Sequence, residues 1–425
     1  MVALRAWEGG GRRAVARSRT SSPWQTPPFG RRKVLLVLAG ALIGTLVAVA
    51  NGALASVTAT DTGGLRAPRP AVSRHQPVSS SSPKSSDGDP GVTFGIYPGG
   101  AAGTVGPSGP PKPENPALRL AALERLRPPG RPFVLHLYVG YTGPGGYSAQ
   151  QIGQQVAAYG RAGFETEVAV CYRPADGGSE ADVAGFVAFV RTAVRSLGRE
   201  PGFVSVQVTN EANVGGAPNT SDGYYKDAKD ALIQGVIAAH DVVRADRFAG
   251  VQVGFNWAYS TDQHEDAFWS YLRRAGGRRF FEALDWVGLD AYPFTWNSPS
   301  APGSTRELAA ATTSFMDRAL GRLRSTYLPL AGIPRSVPLR ITENGYPTGP
   351  GRTEAMQATV MKAAVEAVYQ TRGRDNITGY RWFDLRDADS SSSSFESQYG
   401  IIRDDYSPKP AFEVYRQLVA EFDAR

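Results

Sequence analysis

The chain has one cysteine, Cys171, in 425 residues. No intrachain disulfide can form, so the fold has to rest on its core. Histidine is also scarce. His75, His136, His240 and His264 are scattered, with no His-Glu-x-x-His pattern and no cysteine pair beside them. That removes the usual transition-metal sites, and no metal or other cofactor is expected. A basic excess is missing from most of the chain. The net charge of +7 is carried by residues 1–33, where eight basic residues stand against Glu8 alone; basic and acidic residues balance in the rest. A nucleic-acid-binding domain is therefore not expected. The glycines of "YPGGAAGTVG" (97–106) do not have the GxGxxG spacing of a dinucleotide turn.

What is present begins with the apolar run "VLLVLAGALIGTLVAVA" at 34–50, directly after Arg31, Arg32 and Lys33. Residues 34–55 read as a signal peptide or a single membrane anchor, with the basic tail 1–33 on the cytoplasmic side. The run is intermediate in length between a signal h-region and a full span. Ala53-Leu54-Ala55 fits a small-x-small cleavage site, and "RRKVLL" loosely resembles a twin-arginine signal. Residues 56–90 are rich in Ser and Pro and read as a disordered linker. This order predicts export of the chain from about residue 56 onward, with an extracellular or cell-surface location. Membrane contact is then expected only through the N-terminal segment.

From residue 91 the pattern alternates. Apolar β-type runs fall at 92–98, 133–140, 164–172, 203–211, 250–257, 284–293, 338–345 and 377–385. Amphipathic, helix-like stretches lie between them, as at 148–161, 180–197, 222–244, 305–326, 353–371 and 410–422. Strict βα alternation implies a parallel sheet, and eight repeats imply a closed (β/α)8 TIM barrel over 91–425. A doubly wound open sheet is the alternative; it usually has fewer strands and a Gly-rich phosphate turn. None of the eight strand ends presents a lysine, which argues against Schiff-base chemistry.

A barrel of this kind works at the carboxyl ends of its strands. The fourth run ends on Thr209, Asn210 and Glu211, and the seventh on Thr342, Glu343 and Asn344. The other ends supply Arg173, Asn256, Trp257, Asp290, Tyr292, Trp382 and Asp384. Two-residue alternation puts Ser205, Gln207, Thr209 and Glu211 on the interior face of the fourth strand. It puts Trp286, Asp290 and Tyr292 together on the sixth. On the seventh it groups Leu339 and Ile341 with an inward Glu343. Two convergent carboxyl groups are the minimum equipment of glycoside hydrolysis, one donating a proton and the other attacking.

Asn-Glu closing strand four, with a second Glu closing strand seven, resembles clan A of the glycoside hydrolases, the retaining (β/α)8 enzymes. "ITENG" (341–345) resembles the nucleophile motif of family 1 β-glycosidases. "ENGYPTGPG" is similar to the "ETGWPS" loop of β-1,3-glucanases and β-1,4-galactanases. "TNEA" (209–212) resembles the acid/base motif usually written NEP. "QYGIIRDDYSPKPAFEVYRQL" (398–418) is similar to the last loop and helix of family 5. No single family fits the whole of 91–425.

The resemblance implies Glu211 as acid/base and Glu343 as nucleophile. It implies Asn210 as the amide on the sugar 2-hydroxyl and Tyr292 as the hydrogen-bond partner of the nucleophile. Trp382 would floor the sugar subsite, often through a non-proline cis peptide to the next residue. Asn256 and Trp257, at the end of strand five, join the expected substrate-binding set, and Trp296 is a further aromatic candidate. The resemblance implies a β-linked oligo- or polysaccharide as substrate and a monomeric catalytic domain. Two departures stand out. Ala212 replaces the common proline, which leaves the loop after the acid/base less fixed. Arg173 and His136 match no one family's pattern. A non-catalytic carbohydrate-binding barrel at the cell surface is the competing reading, and the presence of both glutamates favours an enzyme.

Overall fold

Parallel barrel strands are covered on both faces, so they read as near-continuous apolar runs rather than as alternating ones. All eight runs form strands in the computed structural model, which describes residues 91–100, 111–143, 149–174, 181–216, 220–296, 301 and 303–422. The basic tail, the 34–55 segment and the 56–90 linker lie outside the described residues. Among those described, no helix is long and apolar enough to cross a membrane.

The element order is β1 (Thr93–Ile96), α1 (Pro116–Leu126), β2 (Val134–Tyr141), α2 (Ala149–Arg161), β3 (Glu165–Tyr172), α3 (Val183–Leu197), β4 (Phe203–Val208), α4 (Ala228–Ala245), β5 (Gln252–Ala258), α5 (Glu265–Tyr271), α6 (Gly277–Glu282), β6 (Trp286–Ala291), α7 (Thr305–Arg322), α8 (Leu328–Ala331), β7 (Leu339–Asn344), α9 (Glu354–Asp375), β8 (Ile377–Trp382) and α10 (Pro410–Phe422). Every strand pairs in parallel with the next, and β8 pairs with β1, so the sheet closes. Local chemistry starts the helices. Asn115 caps α1 ahead of Pro116, accepting from the Ala117 and Leu118 N–H groups. Ser304 caps α7: its Oγ accepts from the Glu307 N–H at 3.3 Å and donates to the Glu307 carboxylate at 2.7 Å.

The lower barrel interior is polar and centred on a buried carboxylate. Glu167 on β3 accepts from Arg340 on β7 at 2.5 Å, and His136 Nδ1 on β2 lies 3.0 Å from it. Arg381 Nε on β8 lies 3.7 Å away. Burial alone would raise the Glu167 carboxyl, but Arg381 and Arg340, helped by His136, hold it well below the usual range. Breaking such a buried group by removing one partner typically costs about 3–5 kcal/mol. His136 therefore belongs to the barrel floor.

The seventh strand departs from simple alternation. Arg340 and Thr342 point into the barrel, so Leu339 and Ile341 point out to the helices. Ile341 pairs with Leu289 and Tyr380, and the Tyr380 ring packs on Tyr415 of α10. Strict alternation would then turn Glu343 outward too. The register slips instead: Ile341 pairs with Leu289 and Glu343 with Asp290, leaving Thr342 as an extra residue. This bulge lets two successive residues, Thr342 and Glu343, face the interior. Glu343 is inward as expected, but Leu339 and Ile341 do not share its face.

Candidate active site

The fourth strand ends at Val208, earlier than its apolar run suggests. Thr209 (φ 63°) and Glu211 (φ 50°) both adopt the left-handed conformation. A β-branched residue is rare there, and such conformations cluster at functional sites. The turn ends the expected alternation after Gln207 and swings Asn210 and Glu211 over the barrel mouth. Thr209 N–H donates to the Val170 carbonyl at 2.9 Å, and Glu211 N–H donates to Asn256 Oδ1 at 2.8 Å.

Here Glu211, Asp290 and Glu343 converge, each offering one oxygen within 4.8 Å of the others. Glu343 and Asp290 are buried and Glu211 is half-buried. Both oxygens of Glu343 accept from tyrosine. Tyr138 donates to Oε1 at 2.6 Å, and Tyr292 donates to Oε2 at 2.5 Å. Burial, then the Glu343 charge, hold both phenols well above their usual range, so they remain donors. The Glu211 carboxyl is pushed up to about 8, by burial first and by Glu343 second. Asp290 is raised well above the ordinary carboxylate range by burial, then by Glu343 and Glu211. Three carboxyls this close cannot all ionise. Asp290, 2% exposed, is the deepest of them. The arrangement is Glu343 held by two tyrosine donors, beside two carboxyl groups whose ionisation burial and neighbouring acids disfavour.

Asp290 anchors the layer beneath. It accepts from Thr342 Oγ1 at 2.6 Å and from Asn256 Nδ2. Asn256 Nδ2 also donates to Asn210 Oδ1 at 2.9 Å. Asn256 is thus fully bonded and 0% exposed, so it orients Asn210 and Glu211 and does not reach the mouth. Asn210 sits beside Glu211 as expected, though its Nδ2 already donates to the Thr220 carbonyl at 3.0 Å.

The two tryptophans expected to bind substrate do not line the cluster. Trp257 faces the helices, packing on Trp269 and Tyr327 and donating to Glu265 at 2.7 Å. Trp382 pairs with Asn344, whose side chain reaches Met316 on α7, so both point outward. The next residue, Phe383, takes the inward place. It stacks on Tyr97 with centroids 5.1 Å apart and meets Tyr292 edge-on at 6.1 Å. The non-proline cis peptide is correspondingly one step later than expected, between Phe383 and Asp384. Trp296 lies nearer, 4.8 Å from the Tyr292 ring, 41% exposed and held by Glu396 at 2.8 Å.

Sequence reasoning missed three contributors. Tyr138 shares a strand face with His136 and was recoverable by alternation. Ser221 donates to Glu211 Oε2 at 2.5 Å from a loop with no periodic signal. Asn213 replaces the missing proline as the loop's constraint. It exchanges hydrogen bonds with the Ala258 backbone at 3.0 and 3.1 Å and bonds Glu265 at 2.9 Å. Arg173 pairs with buried Asp222 at 3.5 Å.

The fold and this constellation define a (β/α)8 barrel with a carboxyl cluster at the carboxyl ends of strands four, six and seven. No protein-family model and no curated protein matches the sequence. Solved structures do. A substituted GH5_18 from Streptomyces cattleya in complex with Manb1-4GlcNAc is 17% identical, with a TM-score of 0.50 over 71% of this chain and 73% of that one. A GH5_18 from Bifidobacterium longum subsp. infantis is 15% identical, with a TM-score of 0.50 over 72% and 73%. A beta-glucosidase from Exiguobacterium marinum is 15% identical, with a TM-score of 0.49 over 72% and 86%. At these identities the two structures with a TM-score of 0.50 show a shared barrel fold.

Proposed function

We propose that the protein is a retaining glycoside hydrolase, or a transglycosidase of the same mechanism, acting on a β-linked glycan. The observation that carries this is the approach of Glu211 and Glu343 to within 4.8 Å, with both Glu343 oxygens held by tyrosine donors. Carboxyl groups about 5–5.5 Å apart suit direct attack by one carboxylate, and an inverting pair stands about 6.5–9.5 Å apart to admit a water; facing oxygens this close support the nearer spacing.

In the first half-reaction Glu343 attacks the anomeric carbon and Glu211 gives its proton to the departing oxygen. In the second, Glu211 takes a proton from water as the water oxygen displaces Glu343. Two displacements return the original anomeric configuration. The raised Glu211 carboxyl suits a proton donor at neutral pH, and ionisation of Glu211 sets the alkaline limit of activity. A glycan complex among the similar structures supports placing β-mannosides in the first panel, with β-glucans, xylans and galactans. Hydrolysis followed by NMR should show the β anomer first. A first-formed α anomer, or no turnover on any member, would favour the binding-only reading or another chemistry.

Trp296 adds an exposed aromatic ring beside Tyr292, a face suited to stacking a second sugar ring. Trp296→Ala should raise KM for oligosaccharides by about tenfold, the scale of one lost aromatic contact. A glycosyl fluoride, which has no second ring, should be hydrolysed at the parent rate; equal loss on both would sink the assignment. Export is part of the same reading, supported by the apolar run at 34–50 and the linker at 56–90. Fractionation of the producing cells and N-terminal sequencing of the mature protein test it.

A further inference from the structure

Ten residues beyond Glu211 the chain turns back on the Asn210–Glu211 pair and grips it. Asp222 N–H donates to the Asn210 carbonyl at 2.7 Å, and Gly223 N–H to the Glu211 carbonyl at 3.4 Å. Asp222 Oδ2 accepts from Asn210 N–H at 2.8 Å and from Tyr172 N–H at 2.6 Å, tying the clamp to β3. Asn210 Nδ2 closes the other side on the Thr220 carbonyl. Within this clamp the Ser221 hydroxyl, on a residue 5% exposed, donates to Oε2 of Glu211 at 2.5 Å.

We propose that Ser221 is a positioning residue for the acid/base: its hydroxyl occupies Oε2 of Glu211 and leaves Oε1 to give and take the catalytic proton. The inference rests on the glycosidase reading for its catalytic meaning. When the C1–O bond breaks, the electron pair stays on the departing oxygen, which receives the Oε1 proton. Glu211 becomes a carboxylate facing a donor already in place. In the second half-reaction the water proton goes to Oε1, the water oxygen bonds C1, and Glu343 leaves. The Ser221 proton is never transferred. A donor to the ionised form strengthens as charge develops, so the hydroxyl assists proton release.

The groups facing Glu211 fix the sign. Glu343 from β7, Asp290 from β6 and Asp222 within the clamp disfavour its ionisation, as does burial; Arg173, the residue after β3, and Ser221 favour it. The Cys171 thiol, on β3, is raised by burial and stays neutral. Removing Ser221 therefore raises the Glu211 midpoint and moves the alkaline limb of kcat/KM to higher pH.

The test uses the full-length protein labelled with carboxyl-13C glutamate, with the Glu211 resonance assigned by its loss in Glu211→Gln. Ser221→Ala should move the Glu211 midpoint upward, and Ser221→Thr, which keeps the hydroxyl, should bring it back toward the parent. Thermal melts of both variants report folding. In kinetics, Ser221→Ala should slow a phenyl glycoside by about 10–100-fold, the lower part of the range for acid catalysis, while a 2,4-dinitrophenyl glycoside changes less than about twofold. An unmoved midpoint in folded Ser221→Ala overturns the inference, as does equal slowing of both substrates. If the parent protein hydrolyses no glycoside, the glycosidase reading fails, while the titration still decides whether Ser221 sets the protonation of Glu211.

Discussion

Glu343→Gln should lower turnover of an activated aryl β-glycoside by about 10⁴-fold or more, the scale seen when a covalent nucleophile is removed. The substitution keeps shape and volume but replaces an oxygen anion with a neutral amide that cannot form a glycosyl ester. Tyr138 and Tyr292 each donate to one oxygen of Glu343. In the variant one of them meets an N–H group and has to reorient as an acceptor. Michaelis kinetics and a melting curve separate loss of chemistry from loss of fold. The same variant has a second signature. The Glu343 charge is the largest cause, after burial, of the raised Glu211 carboxyl. Without it Glu211 ionises at lower pH, so the alkaline limb of the residual activity should move down. Incubation of the parent protein with a 2-fluoro glycoside should add one sugar mass to the peptide carrying Glu343. Near-native turnover in folded Glu343→Gln would end the nucleophile assignment.

The barrel was legible because its strands are buried on both faces and its helices on one. Those two periods differ, and eight alternations of them admit few folds. The pairing of Glu211 with Glu343 was legible for a related reason, since both close a strand at the working face. Their orientation was not. Two-residue alternation put Glu343 inward by grouping it with Leu339 and Ile341, which in fact face the helices. The register slip at Thr342 reverses the parity, and a slip depends on how β7 meets β6 and β8 rather than on local sequence. The same parity decides the aromatic floor. Trp382 lies beside outward Asn344, so Phe383 takes the inward place. At Glu211 the positive φ of Thr209 ends the alternation two residues early. Asn256, read as a substrate contact because it closes β5, is consumed in holding Glu211, Asn210 and Asp290. What escaped the sequence was which neighbours satisfy each polar group, and these come from distant segments.

Glu211→Ala should divide the two half-reactions. A dinitrophenyl leaving group departs without a proton, so Glu343 can still attack and the glycosyl-enzyme should form at close to the parent rate. The second step needs a base to deprotonate water, and that base is gone. Steady-state turnover should fall by about 10²–10⁴-fold, with a burst of dinitrophenol equal to the enzyme present. Azide needs no deprotonation and can enter the space left by the carboxyl. Removing Glu211 also takes one acidic group out of the cluster. Azide should therefore restore turnover and yield the β-glycosyl azide, because it displaces Glu343 from the face the leaving group vacated. The same anion given to Glu343→Ala should yield the α-glycosyl azide, since it then attacks the substrate directly from the Glu343 side. The two products distinguish the two roles by stereochemistry alone. An α product from Glu211→Ala would exchange the roles of the residues. The absence of both burst and rescue in the folded variant would remove Glu211 from the mechanism.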